Sequence, residues 1–327
     1  MRVFVAWDSQ LNVVDKTFTA IRKRPPTGMS IELLGAAGQV AVGLLDTKLR
    51  AAIEESTGLL AVIDQPNANV GWEVGLAWAL GLRVALATEG EHAPGWVRGT
   101  PMESALRQGG VGSGRQARAL LNERASWVTM KAPRKGKRDL LVCPDCGVGE
   151  EWRLALAEAL PDWELLDTKG WTLSELPARL EGVRRLALVV LPLIKGEERH
   201  GVANTIGAMV AGYAEGLGVP IAALMCADGP EVADLTHRRR DFDGTEEGLI
   251  AAITAWVASL EARPTSDLSA WRDTMRALHA NPLAYVARMG LTPTELVPVD
   301  LDVDVGGRVS RAGWHRSGRR QAHAVRT

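Results

Sequence analysis

The sequence predicts an α/β protein of two tandem, doubly wound parallel-sheet domains. Short apolar runs typical of buried strands alternate with stretches of helical spacing, as in a parallel sheet with crossover helices. The same order of runs occurs twice, and 327 residues suffice for two domains of ordinary size. Hydrophobic residues make up 46% of the chain and charged residues 24%, a composition that excludes wholesale disorder and fibrous repeats.

The first half contains four predicted strands and two predicted helices. Apolar, β-rich runs predict the strands at residues 3–7, 30–34, 59–64 and 83–87. Apolar positions between residues 39 and 56 fall largely on one helical face, which predicts an amphipathic helix. Residues 71–82 are apolar almost all round, so we expect a buried helix there.

The second half repeats this order at a fixed spacing. Val5 and Val142, and likewise Gly75 and Gly212, are 137 positions apart, which favours a duplicated domain. Strands are predicted at residues 140–142, 163–166, 186–191 and 220–224, and a helix at 150–160. We therefore assign residues 1–130 to the first domain and residues 139–262 to a second copy. Residues 131–138, rich in Lys and Arg, are predicted to form a solvated basic linker, with phosphate contact as the alternative.

The C-terminal region differs in character from both copies. Helical spacing at residues 245–261 and 268–278 predicts helices, the second within a partly helical extension over residues 263–304. Residues 305–327 contain six arginines and no acid, so we expect a disordered basic tail. Because the whole chain carries a formal charge of −1, the rest is acidic, and a nucleic-acid partner is expected only through the tail.

Cysteine usage and hydropathy favour a cytoplasmic protein without a membrane partner. Three cysteines are too few to form a disulfide framework for a chain of this length, which favours a reducing compartment. No apolar stretch approaches the roughly 20 residues that span a bilayer. Cys143 and Cys146 form a Cys-x-x-Cys after a predicted strand, for which redox chemistry is the alternative to incidental cysteines. No metal site is predicted. The glycine cluster at 109–114 lacks a Gly-Lys-Ser/Thr ending and is interpreted as a flexible loop.

The segment at residues 64–81 joins the carboxyl end of a predicted strand to a helix. Ligands of doubly wound sheets bind at that edge, where loops leave a crevice. We expect Asn69 to cap the helix and Glu73 to lie in its first turn, where unpaired backbone N–H groups favour the ionised carboxylate. Trp72 offers an aromatic face for a base or sugar. The alternative is that Glu73 only complements the helix dipole and that Trp72 belongs to the core.

Residues 67–77, Asn-Ala-Asn-Val-Gly-Trp-Glu-Val-Gly-Leu-Ala, resemble a known signature. It is the Asn-Pro-Asn-Val-x-Tyr-Glu-Leu-Gly-x-Ala motif of bacterial TIR-like NAD-cleaving domains. The core Glu-x-Gly-x-Ala-x-x-x-Gly is similar to that of nucleoside 2-deoxyribosyltransferases, which share a flavodoxin-like architecture. The resemblance covers roughly residues 1–130, and about a dozen positions are specific. Ala68 replaces the usual proline and Trp72 the usual tyrosine.

The resemblance implies a hydrolase or transferase that cleaves the N-glycosidic bond of a nucleotide or nucleoside. NAD would be the substrate rather than a cofactor, in bacterial stress or antiviral defence. Glu73 would be the catalytic residue, acting at the anomeric carbon, where a carboxylate stabilises or captures the developing cation. The predicted substrate-binding residues are Trp7, Asp8, Asp64, Asn67, Asn69 and Trp72.

The second copy is predicted to be degenerate. The offset of 137 places Val210 opposite Glu73 and Met209 opposite Trp72, and a valine cannot stabilise a cation, although Asn204 still matches Asn67. This copy would bind a ligand, pack against the first domain or mediate homo-oligomer assembly. His200 and Glu215 are candidates for a separate site, with solvated surface positions as the alternative. The alternative function for the whole chain is a non-catalytic nucleotide sensor or an oligomerisation module.

Overall fold

The computed structural model describes most of the chain up to residue 261 and two short segments beyond it. The described residues are 1–8, 11–33, 49–90, 92–107, 110–131, 134, 136–143, 150–167, 173–193, 198–226, 238–261, 296–298 and 314–316. They fall into two compact units, Met1–Ala258 and Ser259–Thr327. The helix predicted at 268–278 and most of the one predicted at 39–56 lie outside the described residues.

The first sheet has four parallel strands, close to the four predicted runs. They are β1 (Arg2–Ala6), β2 (Ser30–Leu33), β3 (Gly58–Val62) and β4 (Arg83–Ala87). Their order in the sheet is β2-β1-β3-β4, with Val3 of β1 paired to Ile31 on one side and Gly58 on the other. The chain therefore reverses its direction of winding between β1 and β3.

Helices cover both faces of this sheet. They are α1 (Asn12–Lys23), α2 (described over residues 49–54), α3 (Ala68–Ala79) and α4 (Gly114–Asn122). Alternate residues of β1 divide between two clusters: Val3 and Val5 pack with α1 and α4, while Phe4 and Ala6 pack with α2 and α3. Short 3₁₀ turns follow at Gly95–Val97, Glu103–Ala105 and Arg124–Ser126. The predicted doubly wound arrangement is confirmed.

The second sheet repeats the order with one more strand. Its strands are β5 (Arg138–Val142), β6 (Trp163–Leu166), β7 (Val183–Val190), β8 (Ile221–Cys226) and β9 (Arg239–Phe242), all parallel in the order β6-β5-β7-β8-β9. Its helices are α5 (Glu150–Ala159), α6 (Leu176–Arg179), α7 (Glu198–Gly216) and α8 (Glu246–Glu261), with a 3₁₀ turn at Leu173–Glu175. Both sheets are thus parallel throughout and flanked by helices, as in flavodoxin-like folds.

Helices α3 and α7 pack backbone to backbone through glycines. A Cβ built on Gly75 would lie 1.9 Å from the carbonyl oxygen of Met209, and one on Gly212 would lie 2.1 Å from that of Trp72. Gly212 and Met209 are the counterparts of Gly75 and Trp72 at the offset of 137 positions, so each contact is the counterpart of the other. The two helices are therefore related by a local pseudo-twofold axis. Gly71 lies against Thr205 further towards both N-termini, so the helices run parallel.

This packing places the carboxyl edges of both sheets at the same end of the unit. Each helix connects two parallel strands of its sheet and runs back from the carboxyl edge to the amino edge. One hydrophobic cluster runs from the first sheet through α3 and α7 into the second, so both sheets belong to one compact unit. The domain boundaries at residues 130 and 139 stay a prediction.

The second unit contains one described pair of strands. Strands β10 (Leu296–Pro298) and β11 (Trp314–Arg316) pair antiparallel. The disorder expected for residues 305–327 stays a prediction. The rest of that tail lies outside the described residues. In the part of the chain that the structure describes, no helix is long and apolar enough to cross a membrane.

Candidate functional site

The candidate site lies where the strand order of the first sheet reverses. Asp8 follows β1 and Asp64 follows β3, two neighbouring strands whose helices α1 and α3 cover opposite faces of the sheet. Connections that leave a sheet towards opposite faces open a crevice at the carboxyl edge. Both residues are half-buried, which suits side chains at the rim of such a crevice.

Asn67 ties the two strand ends together. Its side-chain oxygen accepts hydrogen bonds from the backbone N–H groups of Asn69 (2.9 Å) and Val70 (3.2 Å), which caps α3. Its amide nitrogen donates to Oδ2 of Asp8 at 3.0 Å. The predicted pocket residues Asp8, Asn67 and Asn69 are therefore brought together. The prediction that Asn69 is the cap is wrong, because Asn67 occupies that position.

Glu73 is the sixth residue of α3 and lies in its second turn. Its placement in the first turn was therefore a wrong prediction, and so was the support expected from unpaired backbone N–H groups, because the helix-dipole effect fades within the first turn. All residues of α3 from Val70 to Ala79 are buried except Glu73, which is half-buried. It lies one turn beyond Asn69 on the same helical face. Glu73 is thus a partly accessible acid in an otherwise sealed segment.

Asp64 links the end of β3 to the end of β4. Its Oδ2 accepts a hydrogen bond of 2.7 Å from the backbone N–H of Glu89, and its carbonyl oxygen accepts one of 3.5 Å from the indole of Trp96. The side chain of Asp64 therefore holds the next loop in place. Trp96, which the sequence did not single out, adds an aromatic ring near this edge.

Residues 110–112 of the glycine cluster pack against the same loop. The N–H of Val111 donates to the carbonyl of Thr88 at 2.7 Å, and a Cβ on Gly110 would lie 2.3 Å from the carbonyl oxygen of Gly90. Ser113 then caps α4. The loop interpretation is wrong for Gly114, which begins α4, whereas the flexibility expected for residues 110–113 stays a prediction. Gly109 lies outside the described residues.

The two predicted aromatic residues of the site differ in position. Trp72 is 0% exposed, and its indole N–H donates to Oε2 of Glu215 at 3.0 Å across the α3–α7 contact. It therefore presents no face on which a base could stack, and that expectation is corrected. Trp7 is half-buried and packs against the cluster on the α1 face of the sheet.

Glu215 and His200 are buried rather than solvated. Glu215 is 3% exposed, accepts a hydrogen bond from Nη1 of Arg50 at 3.2 Å, and pairs with Arg238. His200 is buried with Nδ1 2.6 Å from the carbonyl oxygen of Pro192. The alternative of solvated surface positions is therefore wrong, and these contacts hold the fold together.

The corresponding edge of the second sheet has different chemistry. Asn204, the counterpart of Asn67, lies inside α7, where its side chain accepts from the N–H of Leu191 (2.8 Å) and donates to its carbonyl (2.9 Å). Val210, the counterpart of Glu73, is buried. Cys143 is buried at the end of β5, and Cys146 lies outside the described residues. Among the described residues, no group of three or more His, Cys, Asp or Glu side chains could hold a metal ion.

Comparisons with known proteins add little to this picture. Neither the known protein families nor the curated proteins include a match. Among solved structures, the chain is similar over 72% of its length to a branched-chain amino acid ABC transporter from Thermus thermophilus with bound valine. The identity is 14%, the TM-score is 0.20, and the match spans 60% of that protein. At this TM-score the similarity has no weight for function.

Proposed function

We propose that this chain cleaves the N-glycosidic bond of a nucleotide or nucleoside, with NAD as the first candidate, through the carboxylate of Glu73. The observation that carries the proposal is the position of this acid. It is the one half-buried residue in the buried stretch of α3 and lies one turn beyond the loop at the reversal of strand order. The resemblance of residues 67–77 to NAD-cleaving and deoxyribosyl-transferring families supports the same chemistry.

The reaction needs little more than a well-placed anion. The bond between C1′ of the sugar and the base nitrogen breaks, and its electron pair leaves with the nitrogen. The positive charge that remains is shared by C1′ and the ring oxygen, and the Glu73 carboxylate stabilises it or bonds to C1′. Water then adds to C1′ and loses a proton to solvent; in a transferase a second base nitrogen adds instead.

The charge of the leaving group makes NAD a less demanding substrate than a neutral nucleoside. Asp8 accepts a hydrogen bond from Asn67, and Asp64 accepts one from the N–H of Glu89. Each of these hydrogen bonds uses one carboxylate oxygen and holds a loop in place. A neutral base would in addition need a group that donates a proton to it as it leaves. Nicotinamide in NAD is already cationic and departs as a neutral molecule without a proton.

The test is base release by the full chain. The protein is incubated with NAD and, separately, with deoxynucleosides, and the free base is quantified by chromatography. We expect nicotinamide release from NAD and a loss of about 10³-fold or more in Glu73→Gln, the scale of removing an essential catalytic group. The matched control is Glu123→Gln, an exposed acid at the end of α4, which should keep the rate of the unmodified chain.

Two results would overturn the proposal. One is binding of NAD or nucleosides with no base released, which is the behaviour of a sensor. The other is base release that Glu73→Gln leaves unchanged while its melting temperature also stays the same.

A further inference from the structure

Helix α7 is longer than its counterpart α3 at the N-terminal end. Asn67 caps α3, but its counterpart Asn204 lies inside α7, which begins at Glu198. The extra stretch from Glu198 to Asn204 amounts to nearly two turns, about 10 Å at 1.5 Å per residue. Because the two helices run parallel and side by side, these turns extend past the start of α3, towards the carboxyl edge of the first sheet.

The extra turns contact the loop of the candidate site. A Cβ built on Gly201 would lie 3.3 Å from Cβ of Pro66, which is tighter than an ordinary van der Waals contact. Pro66 precedes Asn67, the residue that caps α3 and donates to Asp8. A residue of the second half of the chain thus lies against the loop that carries the site of the first half.

Buried polar contacts hold the extra turns rigidly on the second sheet. The side chain of Asn204 pairs with both backbone groups of Leu191, next to the end of β7. His200 lies 2.6 Å from the carbonyl of Pro192, which follows the same strand. Within α7 itself, the hydroxyl of Thr205 donates to the carbonyl of Gly201 at 2.8 Å. A segment fixed by satisfied buried polar groups is a firm surface and not a mobile flap.

We propose that the second half completes the candidate site: residues 198–204 of α7 form a fixed wall against the loop at residues 64–67, and Gly201 is a positioning residue for Asn67. The part of this proposal that concerns catalysis rests on the proposed function. Any larger side chain at position 201 pushes on Pro66, whose ring restricts the backbone, and the push reaches the three hydrogen bonds of Asn67. Misplacement by about 1 Å can lower a rate by about 10²-fold.

The experiment compares three full-length variants. Gly201→Leu and Gly201→Ala impose a large and a small displacement of Pro66. The matched control is Gly114→Leu, at an exposed helical glycine around which a Cβ would meet nothing within 4 Å. The readouts are kcat and KM for base release, the melting temperature, and hydrogen exchange of the Asn69 and Val70 amides, which donate to Asn67.

We expect Gly201→Leu to lower kcat at least tenfold and to speed exchange of the two amides at least tenfold. Gly201→Ala should shift both by two- to fivefold, and Gly114→Leu should shift neither. Unchanged amide exchange in Gly201→Leu overturns the proposal, as does an unchanged kcat. If Gly201→Leu does not fold, unchanged exchange in Gly201→Ala overturns it instead. If the unmodified chain releases no base, the proposed function fails, while the exchange rates still decide whether Gly201 positions Asn67.

Discussion

The carboxylate of Glu215 is buried where the two halves meet, and its contacts show how single residues join them. It accepts from the indole of Trp72 and from Arg50, and pairs with Arg238. A buried anion is tolerated only when such donors surround it. Under the offset of 137, Trp78 takes the place of Glu215. The indole N–H of Trp78 makes no hydrogen bond to the described residues.

This difference gives a paired prediction. Trp72→Phe removes a donor to a buried carboxylate, whereas Trp78→Phe removes an N–H that makes no hydrogen bond within the described part of the chain. Both substitutions shorten an equally buried side chain, so the excess cost of Trp72→Phe, about 1–3 kcal/mol, reports the hydrogen bond to the charged group. Urea unfolding of both variants measures it. Equal losses of unfolding free energy would show that this bond contributes nothing.

Only those features of the site that depend on residues close together in the sequence could be predicted. The loop after β3 and the acid on the following helix could be read from the motif. The motif does not show whether Asn67 or Asn69 caps α3, because asparagine is a good cap at either position. The hydrogen bond that fixes Asn67 is accepted by Asp8, which is 59 residues away in the sequence. The burial of Trp72 likewise depends on Glu215, 143 residues further along the chain.

At the scale of elements, the glycines of α3 and α7 set how closely the two helices approach. Gly75→Ala places a methyl group on the carbonyl of Met209, which is backbone and cannot rotate away. We expect a loss of at least about 2 kcal/mol in unfolding free energy as the helices separate. Gly114→Ala, where nothing lies within 4 Å, should instead stabilise the protein by about 0.4–1 kcal/mol. Denaturant titration of both variants checks this contrast, and equal effects would contradict the packing.

The start of α8 contains a pH-dependent contact. Two hydrogen bonds from Thr245 lower the pKa of Asp243 from its ordinary value of 3.8. The hydroxyl of Thr245 has the larger effect and its backbone N–H the smaller, and both donate to the carboxylate of Asp243. A lowered pKa in the folded state means that the contribution to stability is fully present above about pH 4 and is lost as pH falls through the folded-state pKa. Asp243→Asn should therefore be less stable than the unmodified chain at pH 7. The difference between their melting temperatures should shrink as the pH falls from about 4 through the folded-state pKa of Asp243. A difference that stays constant over this range would show that Thr245 does not stabilise the ionised carboxylate.

Several elements were missed in the sequence for identifiable reasons. No helix was predicted at α1, although Val14, Phe18 and Ile21 recur at helical spacing and all face the core. Strand β9, with the sequence Arg-Arg-Asp-Phe, has no apolar run because it lies at the edge of its sheet. Central strands, by contrast, are apolar on both faces, so their positions were clear from composition alone.

At the scale of the whole molecule, the repeat of 137 positions predicted two copies of one fold but not how they pack. Sequence similarity between two halves does not say which faces meet. The glycines along the contact, with Gly75 and Gly212 the most closely packed, explain the answer because they let the two backbones approach. The result is one hydrophobic cluster that runs through both sheets.

A shared core predicts that both halves unfold together. Leu188→Ala in the second sheet should cost about 2–5 kcal/mol, since Leu188 is 1% exposed within the shared cluster. Slowly exchanging amides of β1 and β3 in the first sheet should lose the same free energy of protection as those of β5 and β7. Native-state hydrogen exchange measures both sets. Unchanged protection in β1 and β3 would mean that the halves unfold independently.

The most direct test of the account is a crystal structure of the Glu73→Gln variant soaked with NAD. We expect the nicotinamide riboside to lie at the carboxyl edge of the first sheet, between the ends of β1 and β3. Its anomeric carbon should be about 3–3.5 Å from the side chain at position 73, the separation of a reactive complex. NAD bound with its anomeric carbon far from position 73, or bound only at the second sheet, would contradict the assignment of Glu73 as the catalytic residue.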